Sequence, residues 1–195
     1  MRWKNGAGWT SEIIKVPDAD DWDWRLSIAE IETDAPFSAF PGLERELVLL
    51  IGNGLRLRFD DGASHDLLPP HDKLRFAGER SAFGELIDGP TRDFNLMWKR
   101  EAVNAQLWHR PLVGTMVLFV DPGETWIVHM LAGQARFVDG TGFGELGMGD
   151  TAVLPAIDGA RTRHAIDGGG EALLIRISPV GAVSSTEVAE APPLD

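Results

Sequence analysis

Short apolar or alternating runs, each closed by Gly, Pro or Asp, follow one another every eight to fifteen residues along this chain. Trp24-Arg25-Leu26-Ser27-Ile28, Leu47 to Ile51, Leu55-Arg56-Leu57-Arg58-Phe59, Met116 to Val120, Trp126 to Leu131 and Ala172 to Ile177 are examples. A period of two with turn residues between runs specifies strands, because successive side chains of a strand point to opposite faces. Sustained helical periodicity is scarce, and only Arg100 to Trp108 has room for two turns. The expected fold class is all-β.

With 195 residues, 44% of them hydrophobic, the chain is long enough for one large or two small β domains with a real core. The absence of cysteine excludes disulfides, zinc-thiolate sites and thiol nucleophiles. A net charge of −12 argues against a nucleic-acid footprint, which needs clustered Lys and Arg. The longest apolar runs, Leu47 to Ile51 and Met116 to Val120, are far short of a membrane-spanning helix. No apolar leader with a cleavage site opens the chain, so a cytoplasmic location is expected, with neither membrane nor nucleic acid as partner. Residues 1–100 hold 13 of the 18 basic side chains, and a small anion is best sought there.

An internal repeat appears when the glycines are aligned. Leu50-Ile51-Gly52-Asn53-Gly54-Leu55-Arg56-Leu57, then Asp61-Gly62, resembles Met130-Leu131-Ala132-Gly133-Gln134-Ala135-Arg136-Phe137, then Asp139-Gly140. His71-Asp72-Lys73-Leu74-Arg75-Phe76 lines up with Gly149-Asp150-Thr151-Ala152-Val153-Leu154, and the Gly-to-Asp separation is 18 residues in one copy and 17 in the other. In the second copy a strand, Gly149-Asp150, an apolar strand, Pro155, a turn and His164 succeed one another as in a cupin, a small jelly-roll barrel. Two copies would make a bicupin, with one barrel over 1–105, a degenerate one over 106–180, and a tail over 181–195 expected to be disordered.

The chain opens on Trp3-Lys4-Asn5-Gly6-Ala7-Gly8, with Thr10 and Glu12 close behind. Glycine permits close backbone approach while Lys and Asn supply donors, so the segment reads either as ligand-facing or as a solvated turn. Together with Trp24 to Ala29, Pro36-Phe37-Ser38, Phe40-Pro41-Gly42-Leu43-Glu44-Arg45 and Gly89-Pro90 through Met97, it closely resembles the HutD/Ves family. The resemblance implies a bicupin without an established enzymatic activity, associated with bacterial histidine utilisation, that binds a pathway carboxylate such as N-formylglutamate or urocanate. It makes Arg45 the carboxylate anchor, with Lys4, Asn5 and Arg25 as neighbours. The family has Gly where this chain has Ala7, so a positive φ there would strain Ala7. Family members also carry a strand of a dozen or so residues before Trp-Lys-Asn, and this chain begins two residues before it. Loss of that edge strand would bare a sheet edge and suits a homodimer.

Arg45 has a plainer reading as a surface partner of Glu44 or Glu46, but in a strand those neighbours point to the opposite face. Thr10 could add a hydrogen bond to the anion, and Glu12 would fix Lys4. Arg25 and Ser27 share one strand face, as do Asp93 and Asn95; whether these faces look inward is left open by pattern alone, and Arg25 has Asp23 as an alternative partner. Trp3 could stack on a planar ligand.

Cupin metal sites use His-x-His, a Glu and a later His. None of the five histidines, His65, His71, His109, His129 and His164, is spaced that way, so no metal and no other cofactor is expected. Gly142-Phe143-Gly144-Glu145-Leu146-Gly147 matches a dinucleotide pattern formally but runs into another strand instead of opening a helix. The reading is a metal-free bicupin that senses a small carboxylate. The alternatives are a metal-independent enzyme on a related acid, with Glu12 or Asp93 as general base, and an interaction protein with a vestigial pocket.

Overall fold

The computed structural model describes residues 1–3, 6–138, 142–157 and 159–181. Within them the regular elements are all strands. The first seven are β1 (Gly8–Val16), β2 (Trp24–Ile31), β3 (Ala35–Pro36), β4 (Leu43–Ile51), β5 (Leu55–Phe59), β6 (Ser64–Leu67) and β7 (Lys73–Ala77). Then follow β8 (Ala82–Leu86), β9 (Thr91–Lys99), β10 (Val103–Val120), β11 (Thr125–Phe137), β12 (Glu145–Leu146), β13 (Thr151–Pro155) and β14 (Thr162–Pro179). The all-β expectation holds. Lys4 and Asn5 lie outside the described residues, as does the expected disordered tail apart from Gly181.

The strands form three antiparallel sheets: β1-β2-β9-β4-β7, β3-β8-β5-β6, and β10-β14-β11-β12 with β13 on β11. One face of the first sheet packs on the second through Ile31, Leu47, Leu49, Leu55, Leu57, Phe59 and Phe76. Its other face carries Trp24, Leu26, Val48, Phe94, Leu96 and Trp98 against Ala105, Leu107, Ile127, Leu173, Ile175 and Ile177 of the third sheet. Burying each of the larger side chains contributes about 1.5–3 kcal/mol, so this double-sided burial fixes the strand register. It also explains why Arg100 to Trp108 is not helical. Residues 100–102 form a turn, and Ala105 and Leu107 alternate into the core opposite Ile177 and Ile175; a helix would lose that alternation. Gly142 to Gly147 likewise contains a strand, β12, and is followed by β13 with no helix between, as the rejection of a dinucleotide motif requires.

In the third sheet β10 and β14 pair from Val103↔Pro179 to Val120↔Thr162 and curl so that Leu112, Leu118 and Ile166 of their far ends meet Val128, Leu154 and Leu174 in a separate core. The curl requires β11 and β14 to approach closely at their glycines. A Cβ on Gly170 would lie 2.0 Å from the Ala132 carbonyl oxygen, and one on Gly133 would lie 1.9 Å from that of Gly169. Glycine is the residue these contacts permit.

The sequence repeat reappears as a repeated hydrogen-bonding device. The Leu49 N–H donates to the Asp72 carbonyl at 3.0 Å and the Met130 N–H to the Asp150 carbonyl at 3.0 Å. The Asp72 side chain accepts from the Leu68 N–H at 3.0 Å, and that of Asp150 from the Gly147 N–H at 2.8 Å. Both long strands skip a residue at the matching place, between Leu49 and Ile51 and between Met130 and Ala132. At the opening segment it is Gly6, with φ of 74°, that takes the left-handed conformation; Ala7 does not, so its side chain is unstrained.

Because Gly170 combines a φ of +136° with the 2.0 Å approach, Gly170→Ala should lower stability by at least about 2 kcal/mol, read as a lower urea midpoint. An unchanged midpoint would show that the curl does not depend on this contact.

Candidate functional site

Period-two alternation in three adjacent strands builds a polar floor inside an otherwise apolar sandwich. On β2, Arg25, Ser27 and Ala29 face the second sheet while Trp24, Leu26 and Ile28 face the third. Register places Arg25 opposite Met97 and Met97 opposite Arg45, then Ser27 opposite Asn95 and Asn95 opposite Leu47, then Ala29 opposite Asp93. Directly opposed residues point the same way, so these rows form one surface. The alternation question left open by the sequence is thus answered: the Arg25 and Ser27 face looks inward.

Above this floor is a cleft of about 560 Å³, a volume suited to a small metabolite. Pro36, Phe37, Ser38 and Phe40 form one wall, and Met1, Arg2, Trp3 and Thr10 the rim. Trp3 donates its indole N–H to the Thr10 hydroxyl at 2.7 Å and meets Phe37 edge-on, with ring centres 6.1 Å apart. Thr10 is therefore already engaged as an acceptor and keeps its own proton to give.

Arg45 is 4% exposed, and its guanidinium carbon lies 5.1 to 5.4 Å from the ring centres of Phe37, Phe40 and Phe76. It donates to the Ser38 carbonyl at 3.2 Å, its Nε has no acceptor, and no ion pair reaches it among the described residues. Glu44 pairs instead with Arg75, and Glu46 with Lys73, both on the opposite face. Burial, reinforced by the charge of Arg25, brings the Arg45 pKa down to about 10. Arg25 sits 5.2 Å from the Trp22 ring centre and donates to the Met97 sulfur at 3.4 Å; burial lowers its pKa, against the pull of Glu12. Its sequence alternative fails, because Asp23 turns to Lys99.

Asp93 and Asn95 complete the floor. Asp93 is fully buried, accepts a hydrogen bond from Thr91 at 2.9 Å, and has its carboxyl pushed up to about 7 by desolvation. Asp93 Oδ1, Asn95 Oδ1, Ser27 Oγ, Arg25 Nε and Arg45 Nε are all buried without a partner among the described residues. Unmatched polar groups at this density are costly unless something binds them. Glu12 is exposed on β1 and does not line the cleft; it acts on Arg25 through charge alone.

The aromatic enclosure of Arg45 was invisible as such in the sequence, although Phe37 and Phe40 stand in the motifs quoted above. A second cluster also escapes a search by spacing: His71, His109 and Glu171 converge from three separate segments. His164, placed by sequence where a cupin ligand would stand, is buried between Phe137 and Phe143.

Fold and site together define an all-β protein of cupin-like architecture with an arginine-floored cleft. A cupin 2 conserved barrel domain protein from Leptotrichia buccalis shares this fold, with a TM-score of 0.56 at 16% identity over 92% of each chain. HutD from Pseudomonas fluorescens SBW25 superposes with a TM-score of 0.79 at 30% identity, over 93% of this chain and 94% of that one. The curated proteins include an uncharacterized 21.2 kDa protein in the hutC 3′ region of Pseudomonas putida, 42% identical over 109 residues. That match takes in 55% of this chain and 57% of the relative, so the chain spans little more than half the length of the curated protein it matches. Residues 1–174 fit the HutD family, and the chain belongs to it.

Two buried groups titrate in opposite senses. Asp93, at about 7 in the fold against 3.8 in the unfolded chain, binds its proton more tightly when folded, so its contribution to stability falls as pH rises from about 4 to about 7. His129, buried and held down to about 4 from 6.5 by desolvation, makes stability fall as pH drops through the same interval. The two oppose each other in the parent protein. Relative to the parent, Asp93→Asn should therefore gain stability on going from about pH 4.5 to 7, and His129→Gln should lose it, by a few kcal/mol each in urea unfolding. Parallel profiles for all three proteins would contradict these assignments.

Proposed function

We propose that the cleft binds a small carboxylate metabolite and that the protein senses it, within histidine utilisation, without transforming it. The observation that carries this reading is Arg45: a buried guanidinium with no carboxylate partner among the described residues, enclosed by three aromatic rings. Guanidinium pairs a planar carboxylate through two parallel hydrogen bonds, and the free Nε is one of the donors such a pairing uses. Arg25 supplies a second positive charge, while Asn95 Oδ1 and Asp93 suit the N–H groups of an N-acyl amino acid or an imidazole; Ser27, named with them from the sequence, is fully buried beside Asn95 and does not line the cleft. N-formylglutamate and urocanate have this chemistry, and the hut context of the relative in Pseudomonas putida supports choosing them. Lys4 and Asn5 keep their proposed role at the polar end of the ligand.

The repeated Asp72 and Asp150 device supports a bicupin, with 1–105 as the ligand-binding barrel and 106–180 as its degenerate partner. One observation favours a second reading. A buried carboxyl with a pKa of about 7, as at Asp93, is poised to act as a general base on the same acid.

Thermal-shift titration with N-formylglutamate, urocanate, glutamate and histidine separates these possibilities. One metabolite should raise Tm in a concentration-dependent way, and Arg45→Met should abolish the response while folding as well as the parent, since it removes a buried charge without opening a void. No response to any of the four would detach the cleft from this chemistry, and turnover of the bound compound would establish the enzymatic reading.

A further inference from the structure

We infer that His71, His109 and Glu171 form a binding site for a divalent transition-metal ion of the zinc type, spanning the seam between the first and third sheets. His71 stands in the loop before β7, His109 on β10 and Glu171 on β14. His109 lies opposite Leu173, which makes Glu171 its diagonal neighbour on the same face.

Hydrogen bonding decides how His71 presents itself. Its Nδ1 is 3.1 Å from the Leu49 carbonyl oxygen, which can only accept, so Nδ1 carries the proton. In the neutral ring Nε2 is then a bare lone pair, and it faces Glu171 Oε2, another acceptor, at 3.7 Å. A divalent cation held between these two acceptors would satisfy both. A backbone carbonyl on the far nitrogen is also the usual way a ligating imidazole is fixed in orientation and tautomer. The loop is held in place: Asp72 caps the Leu68 N–H at 3.0 Å and its carbonyl accepts from Leu49 at 3.0 Å, while His71 itself takes a φ of 60°.

His109 Nε2 is 2.8 Å from the same Glu171 oxygen, and the two imidazoles meet at 72° with centres 4.9 Å apart, so they converge on the carboxylate without stacking. All three donor atoms lie within 4.8 Å of one another. A zinc ion about 2.0–2.2 Å from each ligand sets donors about 3.2–3.6 Å apart, between the 2.8 and 3.7 Å separations seen here. Two imidazoles and one carboxylate select zinc or its first-row neighbours over magnesium and calcium, which take oxygen ligands. Three protein ligands leave a coordination position for water or a small anion, and the ion would tie a loop of the first half to two strands of the second.

Zinc titration of the chelator-treated full chain by calorimetry, with cobalt absorption as an independent probe, tests the site. One ion per chain should bind with micromolar or tighter affinity. His71→Ala, His109→Ala and Glu171→Gln should each weaken it at least about tenfold, since even outer-shell changes produce losses of that size. Zinc should raise the Tm of the parent and leave that of the His71→Ala/His109→Ala double variant unmoved. His65→Ala, at an exposed strand position elsewhere, should bind as the parent does. Failure to bind at about 100 µM zinc, unchanged affinity in the double variant, or an equal loss in His65→Ala would each overturn the assignment.

Discussion

A guanidinium taken out of water without meeting a carboxylate is the constraint around which the first half of this molecule is arranged. Leaving a charge unpaired in a low-dielectric interior is costly, and the fold moderates that cost in three ways. Three aromatic faces offer their negative quadrupoles to Arg45, the Ser38 carbonyl accepts one hydrogen bond, and the wall of the cleft remains open enough for an anion to enter. None of these neutralises the charge. The carboxylate proposed above would, completing an arrangement that the protein by itself leaves electrostatically unfinished.

How far the sequence reveals this depends on which physical signal each feature carries. Strand alternation is local, so it correctly sets Arg45 opposite in direction to Glu44 and Glu46, and puts Arg25 with Ser27 on one face. Which of the two faces is inward depends on what packs above and below, and in a central strand buried on both sides alternation cannot decide it. The same limit explains Arg100 to Trp108, where a plausible helical stretch is claimed as a strand by the apolar partners Ile175 and Ile177. Glu12 shows a different limit: it is exposed on the edge strand β1, opposite Ser27, and the role given to it, holding Lys4, falls on a residue outside the described ones. The cluster of His71, His109 and Glu171 has no local signature at all, because three segments bring it together and no spacing rule describes it.

The internal repeat was the most dependable long-range signal, since it reflects a backbone device more than a surface. An aspartate in a turn caps an N–H three or four residues back and offers its own carbonyl to the neighbouring long strand, which skips a residue near the point where it is held. Such a device survives loss of side-chain similarity because main-chain hydrogen bonds demand only the turn and the carboxylate.

The two halves nevertheless use their interiors differently. Where the first half has Arg25, Arg45, Asp93 and Asn95, the core of the curled third sheet is filled with Leu112, Leu118, Val128, Met130, Leu154, Ile166 and Leu174. Apolar packing of that kind is stabilising, whereas a floor of unpaired polar groups is not. The first sheet is the element that joins the two regimes, because its outer face, with Trp24, Leu26, Phe94 and Trp98, is buried against the third sheet while its inner face lines the cleft. Stability gained on one side of these strands thus holds polar groups in place on the other. Polar groups can stay unpartnered in one half of the molecule because the other half is packed to hold them.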